Sequence, residues 1–433
     1  MNVFFKRIIP IVVMFVVPVS GFAQTSEGST LNLTLKEAQE HALLHNKNVK
    51  NAGLSVSEAQ QKVWETIANG LPQVNATLDY QNMMGFKASL GGLITFPLTP
   101  TSTFQASVTQ LLFSGSYWVG IKMSKIGQEV SETMKLQQEL EIKQQVRTAY
   151  LGVLVAEENK AILEKTLKDV EIIAKTTADA LKVGVAEETD VDQIKVQVAS
   201  VMNNIKAIER GIELSYNLLR FHLGLSPETE LALTQTLDAL MNAEAVRATL
   251  NTEYNMEDDY NIRLLNNQLD LANHQIRMEQ TTALPTVAMF YNYTYKLKAS
   301  TFDMSPNNII GLQASIPIFA SGQRHSKIQQ AKIRLETAQN SKDLVSEQLL
   351  LQEKQLRFNL NNALETYDLQ KEALEVSQRV FASITRKYNQ GVVSSLDVTT
   401  ANTSLLQAQG NYIAAMNSVI SAQTELEKLF NTL

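Results

Sequence analysis

The stretch QVNATLDYQ, from Gln73 to Gln81, decides the fold, because apolar and polar residues alternate along its whole length. Its apolar positions are Val74, Ala76, Leu78 and Tyr80. A period of two is typical of a strand with one apolar and one polar face. The stretch also has about the length that a tilted strand needs to cross the hydrocarbon layer of a membrane. It therefore has the pattern of a membrane strand, with lipid on one side and a lumen on the other.

Three further stretches, residues 103–113, 286–295 and 308–318, alternate in the same way, and Asp79 is the only charged residue in these strands. Soluble sandwich strands show the same alternation, so the pattern alone leaves a soluble sheet open. Two observations favour membrane strands. Only four such strands occur in an otherwise helical chain, and the tyrosines near Tyr295 suit an aromatic girdle at a membrane interface.

Four strands do not close on themselves, since the smallest membrane barrels use about eight. In lipid, an open sheet edge leaves backbone groups without partners, at a cost of several kcal/mol each. Copies of the chain must then pool their strands, so that two copies give about eight and three give about twelve. An eight-stranded barrel is filled by its own side chains, whereas a wider one leaves an aqueous lumen. For a pore, the sequence predicts a trimer with a 12-stranded barrel.

The sequence contains two similar halves. The matching anchors are Leu71-Pro72 with Leu284-Pro285, Gly184 with Gly391, and Asp190-Val191 with Asp397-Val398. The last two pairs are each separated by 207 positions, as 391 − 184 and 397 − 190 show. Such self-similarity predicts two internal repeats, residues 24–224 and 257–433. Residues 225–256 would form an equatorial connector that packs around the outside of the helices.

Each strand pair is followed by a long helical pattern, residues 116–183 in the first copy and 323–389 in the second. Each helix could reach roughly 100 Å. Shorter helices, residues 189–223 and 396–430, follow them. In the second copy apolar residues recur every seven positions, at Leu360, Tyr367, Leu374, Phe381 and Tyr388. An ordinary helical bundle explains the same stripe, but the length favours coiled-coil hairpins.

The first residues indicate export. Lys6-Arg7, the apolar run Ile8–Val19 and the small residues Gly21 and Ala23 predict a signal peptide over residues 1–23. Since these are its only charged residues, their removal changes the net charge from −6 to −8, which argues against a nucleic-acid partner. The chain has no cysteine, which excludes disulfides and thiol catalysis. No later stretch has the length and apolarity of a membrane-spanning helix.

The sequence contains little that would support catalysis or metal binding. His41 and His45 are four residues apart and could ligate a metal, but no carboxylate follows in a zincin arrangement, so we favour a plain amphipathic helix. A phosphate-binding glycine loop and a Gly-x-Ser-x-Gly elbow are both missing from the sequence. We expect no catalytic residues, no metal and no cofactor.

The repeated elements and motifs resemble those of a known family, the TolC-like outer-membrane efflux and secretion channels. The likeness lies in the repeated order of helix, strand pair and long hairpin, in Leu-Pro before the strands, and in Gly-x-x-x-x-x-Asp-Val at both tips; it covers essentially the whole mature chain. It implies a homotrimer in the outer membrane with an α-helical tunnel across the periplasm. The implied partners are outer-membrane lipid, a periplasmic adaptor (membrane fusion) protein and an inner-membrane transporter, and the cargo remains open between drug, metal and protein.

The resemblance also implies site residues. Asp397 falls on the family's pore-facing aspartate at the periplasmic mouth, where three copies would form a ring that attracts cations and raises its own pKa. Asp190 with Thr189 matches the first-repeat tip, and Tyr388 matches a tyrosine that holds the mouth closed. The adaptor-contact tips would be Val183, Gly184, Val185, Ala186, Gly391 and Val392. This chain departs from the family at Thr400, where some members have a second acid, and at Val393, where an arginine can latch the closed state.

Simpler interpretations stay open for these residues. Thr189 or Ser395 could cap a helix, with Asp190 or Asp397 stabilising its positive end. The tip glycines could serve backbone angles alone. For the whole chain, the alternative is a coiled-coil scaffold of the periplasm or cell envelope without channel activity, although a scaffold does not need uncharged alternating strands at matching places. A periplasmic binding or hydrolytic protein would need a constellation of residues that the sequence does not show.

Overall fold

The computed structural model describes residues 30–85, 87–90, 94–97, 99–241, 243–299 and 303–433. The predicted signal peptide lies outside the described residues. The chain is mainly helical with a few strands, as the sequence predicts.

The elements follow one another in two series. The first series is β1 (Leu31–Leu33), α1 (Leu35–His45), α2 (Lys47–Ala68), β2 (Gln73–Gln81), β3 (Lys87–Leu90), β4 (Ile94–Pro97), β5 (Thr101–Phe113), α3 (Gly115–Lys182) and α4 (Glu188–Leu223). The second series is β6 (Leu231–Leu233), α5 (Leu237–Leu240), α6 (Ala243–Thr249), a 3-10 turn (Met256–Asp258), α7 (Tyr260–Thr281), β7 (Thr286–Lys298), β8 (Asn308–Ser315), α8 (Gln323–Asn389) and α9 (Ser395–Leu429). Strands β1, β3, β4 and β6 were not predicted, because three or four residues are too few to show a period.

The helices α3 and α8 dominate the molecule. They contain 68 and 67 residues, so each is about 100 Å long. α3 packs along α4, and α8 packs along α9, which gives two helical hairpins. In α8 the predicted heptad positions Leu360, Leu374 and Phe381 are buried. In the described part of the chain, no helix combines the length and apolarity that membrane crossing requires.

The largest sheet has the strand order β2-β5-β7-β8, and every neighbouring pair is antiparallel. The register is continuous from β2 to β5, where Gln73 pairs with Thr109 and Gln81 pairs with Thr101. Within this chain, β2 and β8 form the two outer edges. The alternation predicted from the sequence therefore runs across a single four-stranded sheet.

A core midway along the helices joins the N-terminal segment to the helical body. Strand β1 pairs in parallel with β6, and Tyr150, which is fully buried in α3, donates a hydrogen bond to the carbonyl oxygen of Leu33 at 3.0 Å. Leu237 of α5 is buried in the same core. The residues of the predicted connector thus pack on the helices through short elements of their own.

The ends of α1 and α4 meet at a tight contact. Asn46 ends α1, caps α2, and donates from its side chain to the carbonyl oxygen of His222 at 2.8 Å. Gly224 ends α4 with a φ of 75°, and a Cβ there would lie 2.8 Å from the carbonyl oxygen of His45. Only glycine fits both the left-handed backbone and this close approach.

Candidate functional site at the helical tips

The two hairpins turn in the same way. Gly184 and Gly391 have φ values of 77° and 72°, which a residue with a Cβ adopts only at a cost. The amide of Val185 donates to the carbonyl oxygen of Ala180 at 2.9 Å, and the amide of Val392 donates to that of Lys387 at 3.0 Å. These bonds satisfy the last carbonyl groups of α3 and α8.

The helices that leave the tips begin with capping boxes. The carboxylate of Asp190 accepts a hydrogen bond from the backbone amide of Glu187 at 3.0 Å. In α9, Asp397 accepts one from the amide of Ser394 at 2.8 Å, and its own amide donates back to the Ser394 hydroxyl. The prediction that Thr189 or Ser395 caps was wrong. A carboxylate in the third helical position reaches the residue three places earlier, so the caps are Glu187 and Ser394.

Asp190 also connects the two hairpins. The hydroxyl of Ser395, at the start of α9, donates to Oδ1 of Asp190, at the start of α4. Ser395 is buried, and Oε1 of Gln193 lies 3.2 Å from the same hydroxyl. The Ser395 hydroxyl, followed by the Glu187 amide, lowers the pKa of Asp190. Asp190 therefore ties two helix starts together in addition to capping its own.

Asp397 has a different environment. Its side chain is exposed, and the backbone and hydroxyl hydrogen bonds from Ser394 lower its pKa. Thr189 is exposed as well, and its hydroxyl donates to the Glu187 carboxylate at 3.3 Å. Of the predicted gate residues, Asp397 thus has an exposed carboxylate, which a charged ring at a pore mouth would require.

Tyr388 makes a second link between the hairpins. Its hydroxyl lies 2.7 Å from the hydroxyl of Thr177 in α3. Thr177 is fully buried and donates its one proton to the carbonyl oxygen of Ile173, so Tyr388 is the donor to Thr177. The end of α8 is thereby tied to α3, close to the turn at Gly184.

Farther from the tips, α9 contacts the first hairpin through polar side chains. Asn402 donates to Oε1 of Gln197 in α4 at 2.9 Å, and Gln409 donates to the hydroxyl of Thr166 in α3 at 2.9 Å. Ser395, Asn402 and Gln409 are buried and follow one another at seven-residue intervals; we call these three residues the polar seam. The polar seam was not predicted. The signal was present, because polar residues at every seventh position of a helix mark one face.

The predicted adaptor-contact residues lie at the surface. The side chains of Val183, Val185 and Val392 are exposed by 74, 79 and 68% respectively. Ala186 is half-buried, and Gly184 and Gly391 are exposed. Valines with such exposure place apolar surface at the ends of both hairpins, far from the sheet.

His41 and His45 lie one turn apart on α1. The rings of His41 and His45 stack with their centroids 4.1 Å apart, and Nδ1 of His45 lies 3.0 Å from the carbonyl oxygen of His41. Burial and the neighbouring His45 lower the pKa of His41. Over the described ranges, no three His, Asp or Glu side chains cluster closely enough to hold a metal ion.

A sheet with one exposed apolar face, joined to helices of about 100 Å, defines a class of outer-membrane proteins with a periplasmic helical extension. The family model for outer membrane efflux proteins matches residues 38–225 and 257–432. The chain belongs to this family, which confirms the predicted resemblance and the outer-membrane location. The family is one of channel and transport proteins rather than enzymes.

Individual relatives agree with this assignment. The chain is 24% identical to the outer membrane protein TolC of Salmonella enteritidis over 443 residues, which cover 99% of this chain and 87% of that protein. It is 23% identical to TolC of Escherichia coli K12, with the same two coverages. Among solved structures, the outer membrane protein VceC of Vibrio cholerae superposes with a TM-score of 0.70 at 17% identity, covering 92% of this chain and 95% of that one. The fold is thus that of the outer-membrane channels.

Proposed function

We propose that three copies of this chain form a channel that carries substrates across the periplasm and the outer membrane. The observation that carries the proposal is the four-stranded sheet with two unpaired edges, β2 and β8. A sheet in lipid must pair both edges. Three sheets of this kind close into a barrel of about twelve strands, which is wide enough for an aqueous lumen.

One face of the sheet supports its contact with lipid. Large apolar side chains on this face are exposed by about two thirds in the single chain; they include Val74, Leu78, Tyr80, Ile310 and Leu312. Burying apolar surface contributes roughly 25 cal/mol per Å². In contact with lipid these side chains would have apolar surroundings, which they lack in water.

A second apolar stripe supports a ring of copies. Leu344, Leu351 and Phe358 recur every seven residues on α8 and are exposed by 56, 68 and 66%. α8 follows the edge strand β8, whereas α2, with the exposed Leu54 and Trp64, precedes the other edge strand β2. Two different surfaces on opposite edges of the chain suit a head-to-tail contact, which closes into a ring.

The trimer is tested on detergent-purified protein. Its mass should be three times that of one chain, and planar bilayers should show ion conductance. The protein should also stay in washed cell envelopes under salt or carbonate. Release under those conditions, or a single subunit without conductance, would favour the alternative, a cell-envelope scaffold.

We further propose that the tips engage a periplasmic adaptor, which couples the channel to an inner-membrane transporter. The exposed valines at both tips support this contact, since apolar surface at the end of a water-exposed hairpin favours a protein partner. A photo-crosslinking residue at Val185 should capture the adaptor in cells. The same residue at Val196, which is also exposed on α4 but lies away from the turn, is the matched control. Equal capture at both positions would contradict tip docking.

A further inference from the structure

The polar face of the sheet is interrupted near the helical body. Most of this face consists of uncharged polar residues, among them Asn75, Thr77, Gln105, Ser107, Asn292 and Thr294. Four residues on it are apolar: Leu111, Ala288, Phe290 and Ile309. We call these four the inner apolar patch. Phe290 is the only aromatic residue on this face of β2, β5, β7 and β8.

The register brings the inner apolar patch together. Leu111 lies opposite Ala288, and Phe290 follows two positions later on β7. Phe290 lies opposite Gly311, and Ile309 is two residues before that glycine on β8. Residues two apart on a strand point to the same face, and diagonal neighbours on paired strands come within reach of an aromatic side chain.

Gly311 fixes the position of the Phe290 ring. A Cβ on Gly311 would lie 2.7 Å from Cζ and 3.0 Å from Cε1 of Phe290. The ring therefore lies over Gly311 of β8, in the space that a larger residue would fill. The ring covers the glycine, and the side chain stays half-buried, so part of its surface is exposed in the single chain.

Covering a strand glycine would by itself explain an aromatic residue at position 290. It does not explain the rest of the patch. Ile309 is 42% exposed beside the ring, and Leu111 is only half-buried, on a face that is otherwise built for water. Neighbouring apolar residues on such a face offer a contact surface for an apolar partner.

We propose that the inner apolar patch is a contact site for cargo that carries an aromatic ring, and that Phe290 is its specificity-determining residue. The inference rests on the proposed trimeric channel, in which symmetry repeats the patch three times at one level of the lumen. Aromatic rings attract one another beyond the area they bury, by an amount equal to about a two- to tenfold change in affinity. Cargo with a ring would be retained at this level more than cargo of equal charge and size without one.

The test uses two probes, benzyltriethylammonium and cyclohexylmethyltriethylammonium, which share charge and approximate size and differ in aromaticity. Each is added to the barrel side of the full-length trimer in planar bilayers, and the concentration that halves the ion current is measured. The native protein should need about two- to tenfold less of the benzyl probe. Phe290→Leu keeps apolar cover over Gly311 and should bring the ratio close to one.

Tyr291→Leu is the matched control, because it makes the same kind of change at the adjacent residue on the opposite face of β7. It should keep the native ratio. An unchanged ratio in Phe290→Leu, or no preference in the native protein, would overturn the inference while leaving the channel intact. A native protein without any conductance would instead overturn the proposed function. Phe290→Met serves the same comparison if the leucine variant does not assemble.

Discussion

At the scale of single residues, the cap of Asp397 would set the pH range in which a ring of three Asp397 carboxylates binds a blocking cation. Ser394 stabilises the ionised carboxylate through two hydrogen bonds and holds the pKa of Asp397 below its usual range. A ring of three such carboxylates would raise the pKa, since like charges disfavour ionisation. The two effects oppose one another, and the cap works in favour of a charged ring at neutral pH.

Removing the Ser394 hydroxyl should therefore raise the pKa of Asp397. Block by a divalent or trivalent cation requires the ionised form, so it is present above the pKa and lost as the pH falls through it. We expect Ser394→Ala to move the loss of block to a higher pH, and Asp397→Asn to abolish block at every pH. Block titrations in planar bilayers measure both, with Ser418→Ala, an exposed serine on α9, as the control. An unshifted midpoint in Ser394→Ala would show that the cap does not tune the ring.

The hydrogen bond between the hydroxyls of Tyr388 and Thr177 leads to a second prediction. One hydrogen bond contributes about 1 kcal/mol, so its loss should shift the balance between the closed and open mouth about fivefold. Tyr388→Phe should raise the conductance of the closed channel accordingly. Thr177→Val should act alike, and the double variant should add little to either, because both changes remove the same bond. Additive effects would mean that the two residues act separately.

At the scale of elements, the periodicity of the sequence was sufficient for the long helices and for the four strands of the largest sheet, because period and length are local properties. The periodicity did not predict which residues pair between the two hairpins. Ser395 looked like a cap because it follows a turn, and only the packing of α9 on α4 shows that its hydroxyl reaches Asp190. The bonds of Ser395 and Tyr388 supply links between the hairpins that no single motif contains.

Within the polar seam, the contact of Asn402 with Gln197 would let the hairpins part. Asn402 is buried, and its Oδ1 has no partner, so the contact of α9 with α4 contains an unsatisfied group. Replacing both partners of a hydrogen bond by apolar residues of similar shape is often neutral or stabilising. We expect Asn402→Leu combined with Gln197→Leu to raise the melting temperature and to make mouth openings rarer in single-channel records. More frequent openings would show that the contact of Asn402 with Gln197 holds the tips closed and does not ease their separation.

At the scale of the whole molecule, the sheet and the helices place the same demand on assembly. In the proposed channel, the edges β2 and β8 need partners in lipid, and the apolar stripe on α8 needs a partner in the periplasm. The chain connects each edge strand directly to the helix below it, so one neighbouring copy can satisfy both needs along a single line of contact. Barrel closure and helix packing would then be coupled, and a defect in the helical stripe should disturb the sheet.

This coupling predicts that a charge in the α8 stripe prevents trimer formation. Leu351 is 68% exposed in one chain, and an aspartate there would bury an unpaired charge in the interface. We expect Leu351→Asp to yield monomers in detergent and to lose heat-resistant trimers on gels, and Leu351→Ala to weaken them less. Gln339→Asp adds the same charge on an exposed position about a third of a turn away around α8, and should leave the trimer intact. Stable trimers in Leu351→Asp would place the contact between copies on another surface and separate the helical stripe from barrel closure.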